Sequence, residues 1–325
     1  MKLLVTGGAG YIGSIVGRQL LGAGHELVVL DNLERGHREA VPPGVRLIVA
    51  DLRDREATAG ALDEGFEGVL HFAALSLVGE SVTDPGLYYR TNVGGTLNLL
   101  DAMVAAQAPA LVFSSTAAVY GQPEEVPISE DAVTRPTNPY GASKLAVDGM
   151  IGAFCRAHGI GAVSLRYFNV AGASGDIGED HQPETHLIPN VLGAASGRLE
   201  RVDLYGTDYD TPDGTAIRDY IHIEDLAEAH LLALDGARPG EHRIFNLGNG
   251  NGFSVREVIE TASRVTGCAI EVREAPRRPG DPPLLVASSD LIRSELGWAA
   301  RKPELEQMIA DAWAFIQARP DGYSD

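Results

Sequence analysis

The sequence predicts an α/β protein: a doubly wound parallel (Rossmann) sheet with a smaller C-terminal α+β substrate lobe. Three observations carry this prediction. The first half of the 325-residue chain alternates short apolar runs with amphipathic helical stretches. The strand runs are apolar almost throughout, as in a sheet buried on both faces. A glycine-rich turn joins the first strand to the first helix. Taken in order, Lys2–Thr6 is a strand and Tyr11–Ala23 a helix; Glu26–Leu30, Val45–Val49, Gly68–Phe72 and Ala110–Ser114 are further strands. Helical patterns fill the gaps, the clearest at Asn92–Ala106. A helix over Tyr140–His158 leads to a strand over Ala162–Tyr167.

After Asn169 the pattern loosens. Gly, Pro, Asp and His dominate Ala171–Pro183, which reads as a loop over an active-site mouth. Helices follow at Leu187–Gly197, Ile223–Asp235, Val255–Thr266 and Pro303–Ala318, with short strands at Val202–Tyr205 and Arg243–Leu247 and a Pro-rich loop at Ala275–Pro283. The expected division is a nucleotide-binding domain over 1–168, to which about 216–248 returns, and a lobe over 169–325.

Composition narrows the function classes. An apolar content of 44% and a charged content of 22% are those of a globular protein. No apolar run reaches the ~18–20 residues of a membrane span, and the run nearest the N-terminus is broken by Gly7, Gly8 and Gly10. That run is also too short for a signal-peptide core, so a cytoplasmic protein is expected. Cys155 and Cys268 lie far apart with no metal spacing and read as small buried hydrophobes. A formal charge of −19 disfavours nucleic-acid and anionic-membrane partners. A phosphate-bearing ligand would have to be met by local arginines and helix N-termini.

Two local patterns carry chemistry. Thr6-Gly-Gly-Ala-Gly-Tyr-Ile-Gly13 falls directly after the first strand and opens the first helix. There, glycines let a diphosphate approach backbone N–H groups and the helix dipole. Asp31 ends the second strand, suited to accept from both ribose hydroxyls of NAD and to repel the extra phosphate of NADP. The second pattern is Asn138-Pro-Tyr-Gly-Ala-Ser-Lys144. With ten tyrosines and only Lys2, Lys144 and Lys302, about 0.1 Tyr-x-x-x-Lys pairs are expected by chance. Residues four apart share a helix face, so the Lys144 ammonium can reach toward the Tyr140 phenol and favour its ionised form, a general base.

Together with Asp51-Leu52, His71-Phe-Ala-Ala74, Phe113-Ser-Ser-Thr-Ala-Ala-Val-Tyr-Gly121, Leu165-Arg-Tyr-Phe-Asn169, Asp213–His222, Asn246–Gly250 and Arg277–Asp281, these motifs resemble the extended short-chain dehydrogenases/reductases. Within them, the chain is most similar to the UDP-glucose 4-epimerase family, nearly end to end. The resemblance implies NAD as cofactor, held by Gly7, Gly10, Tyr11, Ile12, Gly13, Asp31, Asn32, Asp51, Leu52, Phe72, Ala73, Ala74, Asn92, Ser114, Tyr140, Lys144 and Phe168. It implies Tyr140, Lys144 and Thr116 as the catalytic set. A UDP-sugar would be bound by Thr116, Tyr140, Asn169, His186, Leu187, Tyr205, Arg218, Arg278 and Asp281. A homodimer through the helices at Asn92–Ala106 and Tyr140–His158 is also implied.

The chain departs from the family at Ser76, where lysine is common, and carries Leu285 at a position where tyrosine accompanies strict hexose substrates and a small residue N-acetylated ones. A nucleotide-sugar 4,6-dehydratase is a competing reading, but it needs an Asp-Glu pair where Ala117-Ala118 stand. A non-catalytic NAD-sensing protein would not need Thr116, Tyr140 and Lys144 together. His181 and His186 bracket a proline-rich turn; with no further ligands evident, a loop or substrate-edge role is expected and no metal. One charge at ~6 Å gives roughly 3 kcal/mol, less than the ~4–5 kcal/mol needed to bring a phenol near neutrality, so Lys144 alone is not expected to suffice.

Overall fold

A computed structural model describes residues 1–278 and 280–324. Strands β1 (Lys2–Thr6), β2 (Glu26–Asp31), β3 (Arg46–Val49), β4 (Gly68–His71), β5 (Ala110–Thr116) and β6 (Gly161–Tyr167) come first in the chain. They are followed by β7 (Asn169–Ala171), β8 (Val202–Tyr205), β9 (Ile217–His222) and β10 (His242–Leu247). Seven of these form one parallel sheet in the order β10-β6-β5-β4-β1-β2-β3. The order reverses between β1 and β4, the place where open α/β sheets leave a crevice beyond their carboxyl ends.

The alternation of side chains along each strand fills two cores at once. Leu3, Val5, Val29 and Val163 pack on one side with Ile15 and Leu20 of helix α1 (Tyr11–Gly22). Leu4, Val28, Leu30 and Phe113 pack on the other side with helices that include α2 (Arg55–Leu62). This explains the uninterrupted apolar runs in the sequence. A leucine buried completely, such as Leu3 or Leu4, contributes about 1.5–3 kcal/mol.

Helices α3 (Val78–Thr83) and α4 (Pro85–Tyr88) lead through a π-helical turn at Tyr89–Gly94 into α5 (Gly95–Ala105). The sequence pattern places the start of this helix at Asn92; the structure extends it back to Pro85, with the wide turn around Asn92 itself. Such turns recur at functional sites. Helix α6 (Pro139–His158) starts where the Asn138 side chain accepts a hydrogen bond from Gly141 N at 2.9 Å. It stops at Gly159, whose φ of 76° is left-handed.

A separate core gathers α7 (Leu187–Ala195), β11 (Gly252–Ser254), α9 (Val255–Thr266), β12 (Val272–Ala275) and α11 (Leu305–Ala318), and β13 (Leu284–Leu285) pairs with β9. Helices α8 (Ile223–Asp235) and α10 (Asp290–Leu296) pack instead in the core that α1 shares with the large sheet. Ser254 and Glu257 form a reciprocal capping box that starts α9. Strand β9 pairs with β7, β11 and β13, whereas α8 and β10 pack with the large sheet and its helices. The sequence pattern missed β9 because Arg218, Asp219 and His222 interrupt its apolar run; the Asp219 carboxylate is buried but accepts from Asn249 N, Gly250 N and Ala287 N. Cys155 is buried and Cys268 half-buried, and both are free. Among the described residues, no helix is long and apolar enough to cross a membrane.

Candidate active site

The nucleotide end is built at the carboxyl ends of β1, β2, β3 and β4. Gly7 adopts φ 72°, and a Cβ there would lie 2.5 Å from Ala73 N. The residue must be glycine for the first turn to meet the segment after β4, where Phe72 N and Ala73 N both donate to Thr6 O. Gly10 caps α1 without a side chain, and the first turn of α1, starting at Tyr11, Ile12 and Gly13, holds no acidic residue. Its N–H groups and dipole are therefore left to an anion. The Asp31 carboxylate accepts from Ala9 N at 3.0 Å and Leu33 N at 2.9 Å, one bond on each oxygen. Lone pairs remain on both. Burial raises its pKa, and those two backbone bonds oppose the rise. Asn32 reaches Asp51 at 3.1 Å, and Arg53 beside Asp51 holds that carboxyl down to about 2. Leu52 is buried next to them. An uncapped helix start and a fixed acidic acceptor fit a dinucleotide of the NAD type.

Asn92 pins the segment that continues from Ala74. It accepts from Leu75 N at 2.9 Å and donates to Leu75 O and to Ser143 Oγ, each at 3.0 Å. Ser76 is exposed just beyond.

Thr116 ends β5 and Tyr140 stands in the first turn of α6. A Cβ on Gly141 would lie 2.5 Å from Ala118 O, so this glycine is what lets α6 approach the segment after β5. The approach sets the Tyr140 side chain near Thr116, whose hydroxyl acts to lower the phenol's pKa. Burial pushes the Tyr140 phenol up, and the nearby Thr116 hydroxyl only partly offsets this. The first turn of a helix also favours an anion, by about 0.3–1 kcal/mol.

Lys144 differs from the expectation. Its Nζ donates to Ser114 O at 2.7 Å and lies 4.7 Å from the Phe113 ring centroid. It is 2% exposed, and burial brings it down to about 7 against the opposing charge of Asp148. The physical reason is local: the buried ammonium takes the carbonyl of the neighbouring strand, and protein groups alone leave the phenol un-ionised. Asp148, one turn beyond Lys144, was missed in the sequence although its i+4 spacing was legible. Its Oδ2 accepts from Arg166 Nε at 3.2 Å, Arg166 Nη2 at 3.0 Å and Ser115 Oγ at 3.2 Å. Its Oδ1 is buried without a partner among the described residues.

At the far end of the cleft, the Arg278 guanidinium lies 4.9 Å from the Tyr205 ring centroid and its Nε donates to Asp281 at 3.0 Å. Arg218, largely desolvated, feels the Asp281 and Arg278 charges. These four residues therefore gather in one place. Arg277 and Tyr209, absent from that set, stack beside them at 4.2 Å and line, with Gln122, Pro123 and Asp281, a cleft of about 540 Å³. Phe168 and Leu285 pack against the small core of Ala117, Val119, Tyr120 and Ile128, which begins immediately after Thr116. Asn169 opens β7, paired with Tyr220 of β9.

Leu187 begins α7, with His186 as its N-cap residue. His186 does not join the arginines: it sits 2.8 Å from both Glu179 and Glu184, with His181 3.1 Å from Glu179. Burial alone would lower His186, but the Glu179 charge and the bonds to both carboxylates raise it well above its usual range. The sequence reading had singled out the two histidines without their glutamates.

The profile of the NAD dependent epimerase/dehydratase family matches residues 3–248. A UDP-glucose 4-epimerase of Streptomyces lividans is 57% identical over 100% of this chain and 98% of its own. The crystal structure of a UDP-glucose 4-epimerase from Brucella ovis in complex with NAD is 43% identical, with a TM-score of 0.93 over 97% of this chain and 98% of that one. That of Bifidobacterium longum, in complex with NAD+ and UDP, is 37% identical with a TM-score of 0.94 over 99% and 100%. The chain belongs to the NAD dependent epimerase/dehydratase family, among its UDP-glucose 4-epimerases.

Proposed function

We propose that the protein interconverts UDP-glucose and UDP-galactose by reversible oxidation at the sugar C4, with NAD held by the Gly7–Gly13 turn, Asp31, Asn32, Asp51, Leu52, Phe72, Ala73, Ala74, Asn92, Ser114, Tyr140, Lys144 and Phe168. When bound, NAD would supply a reversible hydride acceptor at the sugar C4, regenerated within each turnover so that there is no net redox change. The observation that carries this reading is Tyr140 in the first turn of α6 near Thr116 at the end of β5, with Lys144 buried one turn along the same helix. Tyr140 would act as the phenolate that the Lys144 ammonium and the positive charge of bound oxidised NAD together favour. It would accept the 4-hydroxyl proton and give it back, and Thr116 would steady the oxygen between those events. Lys144 supplies the positive charge that keeps the phenol's proton mobile. Ala117 and Ala118 leave no acid for elimination of water, which separates the site from a dehydratase.

Asn169, Leu187, Tyr205, Arg218, Arg278 and Asp281 are assigned to the UDP half, the arginines at its diphosphate. Support comes from the relatives, one of whose structures holds NAD+ and UDP. The intermediate bulk of Leu285 leaves UDP-N-acetylhexosamines, UDP-pentoses and UDP-uronates open as alternative substrates on the same mechanism. A homodimer through α5 and α6 and a cytoplasmic location belong to the same reading; light scattering of the purified protein tests the first. The deciding experiment is conversion of UDP-galactose by the purified protein without added NAD. If no nucleotide-sugar converts and NAD exchanges freely, a non-catalytic NAD-binding role takes its place.

A further inference from the structure

The segment between β7 and α7 brings four metal-capable side chains to one point: Glu179, His181, Glu184 and His186 each offer a ligand atom within 4.8 Å of all the others. Glu179 Oε1 lies 3.1 Å from His181 Nδ1 and 2.8 Å from His186 Nδ1. Glu184 lies 2.8 Å from His186 Nδ1 and 4.0 Å from His181 Nδ1. Zinc bound tetrahedrally at about 2.0–2.2 Å sets its ligand atoms roughly 3.3–3.5 Å apart, and the observed spacings straddle that range. Both carboxylates are mostly buried, with side-chain exposures of 10% and 19%. Thr185 N and His186 N hold the Glu184 Oε1 oxygen in place, each at 2.6 Å.

We propose that Glu179, His181, Glu184 and His186 form a site for one divalent transition-metal ion of the zinc type. Two carboxylates and two neutral imidazoles exactly balance a 2+ charge. Four protein ligands close the coordination sphere, which makes the site structural rather than catalytic. Imidazole nitrogens select against Mg2+ and Ca2+, which prefer oxygen ligands. The ion would clasp a segment already tied to both sides of the nucleotide cleft. His37 Nε2 meets Asp180 O at 2.9 Å, Arg35 donates to Gln182 O, Tyr323 N donates to Asp180 at 2.8 Å, and the Tyr11 hydroxyl donates to Gly172 O at 2.7 Å. Tyr11 opens α1, so the clasp lies next to the proposed diphosphate site. The alternative is a metal-free cluster of protonated histidines and carboxylates, and the two differ in measurable ways.

The full chain, stripped with a chelator, is titrated with Zn2+ by calorimetry, and Co2+ is added separately as an optical probe. The expected result is one equivalent of Zn2+ per chain, the strong visible absorption of four-coordinate Co2+, and a Tm about 5 °C higher with Zn2+ in hundredfold excess over its Kd. Mg2+ should have no effect. His181→Ala and Glu184→Gln, tested separately and confirmed folded by circular dichroism, should each abolish stoichiometric uptake. Absence of stoichiometric uptake by the wild-type protein overturns the proposal, whatever the variants do. Uptake unchanged in both variants also overturns it, by placing the ion elsewhere.

Discussion

Replacing Asp148 by Asn should strip Lys144 of its charge near neutral pH without touching any group that meets the substrate. Lys144 is 2% exposed and brought down to about 7 by burial, with Asp148 the charge that opposes the fall. Residues four apart on a helix are about 6 Å from one another. A unit charge at that distance is worth about 3 kcal/mol at an effective dielectric of ~20, or about two pH units. The Lys144 midpoint should therefore drop to about 5 in Asp148→Asn, and its charged fraction at pH 7 from about one half to about one hundredth. Only Lys2, Lys144 and Lys302 occur in the chain, so lysine-selective isotope labelling gives three resolvable NMR titrations, with a Lys144→Met spectrum to assign the middle one. Turnover at pH 7 should fall in parallel, roughly 50-fold, and recover partly toward acid. The substitution also deprives buried Arg166 of its counter-charge, which costs about 3–5 kcal/mol and should lower Tm by about 4–7 °C. A folded Asp148→Asn protein whose Lys144 midpoint stays within about half a pH unit of wild type would refute the reasoning.

Tyr140→Phe keeps the ring packing against Tyr88 and removes only the hydroxyl, so turnover of UDP-galactose should fall about 10²–10⁴-fold with Tm nearly unchanged; near-normal turnover removes Tyr140 from its assigned role. Stability should fall as pH drops from 6.5 toward 4. His71 and His230 are pushed by burial down to about 3 and about 4, so their stabilising neutral forms are fully present above 6.5 and are lost as pH falls through those values. Asp219, raised by burial to about 6, works in the opposite direction, but two histidines outweigh it; a urea midpoint that is flat or rising toward acid contradicts this balance. Leu285→Tyr should lower turnover of UDP-N-acetylglucosamine relative to UDP-galactose by roughly tenfold, measured side by side, and an unchanged ratio removes Leu285 from substrate selection.

The parts of this site that were legible in the sequence are those whose signal is local. The glycine turn announces itself because Gly7 and its neighbours follow an apolar run directly, and Asp31 because it ends the next one. Tyr140 and Lys144 are four apart in a chain with almost no other lysine. What stayed hidden depends on partners from other elements. Asp148 looks like an exposed helix residue until β6 delivers Arg166 against it. Lys144 could have turned to Tyr140, but β5 presents the Ser114 carbonyl at 2.7 Å. Strand β9 is polar in sequence and buried in space, because the backbone N–H groups that satisfy Asp219 come from residues about 30 to 70 positions later. The glutamates beside His181 and His186 were close in sequence, but only the folded turn aims all four inward.

A charge of −19 is an odd endowment for a protein assigned two anionic ligands, and the arrangement of its few cations resolves the conflict. Screening at physiological salt confines distant carboxylates to about 8 Å, so what a diphosphate meets is set by its immediate neighbours. At one end these are the N–H groups of α1, with no acidic residue in its first turn. At the other, under the proposed assignment, they would be Arg218 and Arg278, with Arg277 beside them. Arg277 and Arg278 rest on Asp208 and Asp281 in pairs whose arginines are 44% and 57% exposed. Exposed pairs of this kind are worth about 0–1 kcal/mol, so exchanging a carboxylate for a diphosphate costs little. Arg218 is different: burial depresses its pKa and Asp281 only partly compensates, so an arriving anion would relieve its desolvation. Binding strength at this end should therefore depend more on Arg218 than on either exposed arginine, although Arg278 is the one that the Tyr205 ring holds in place.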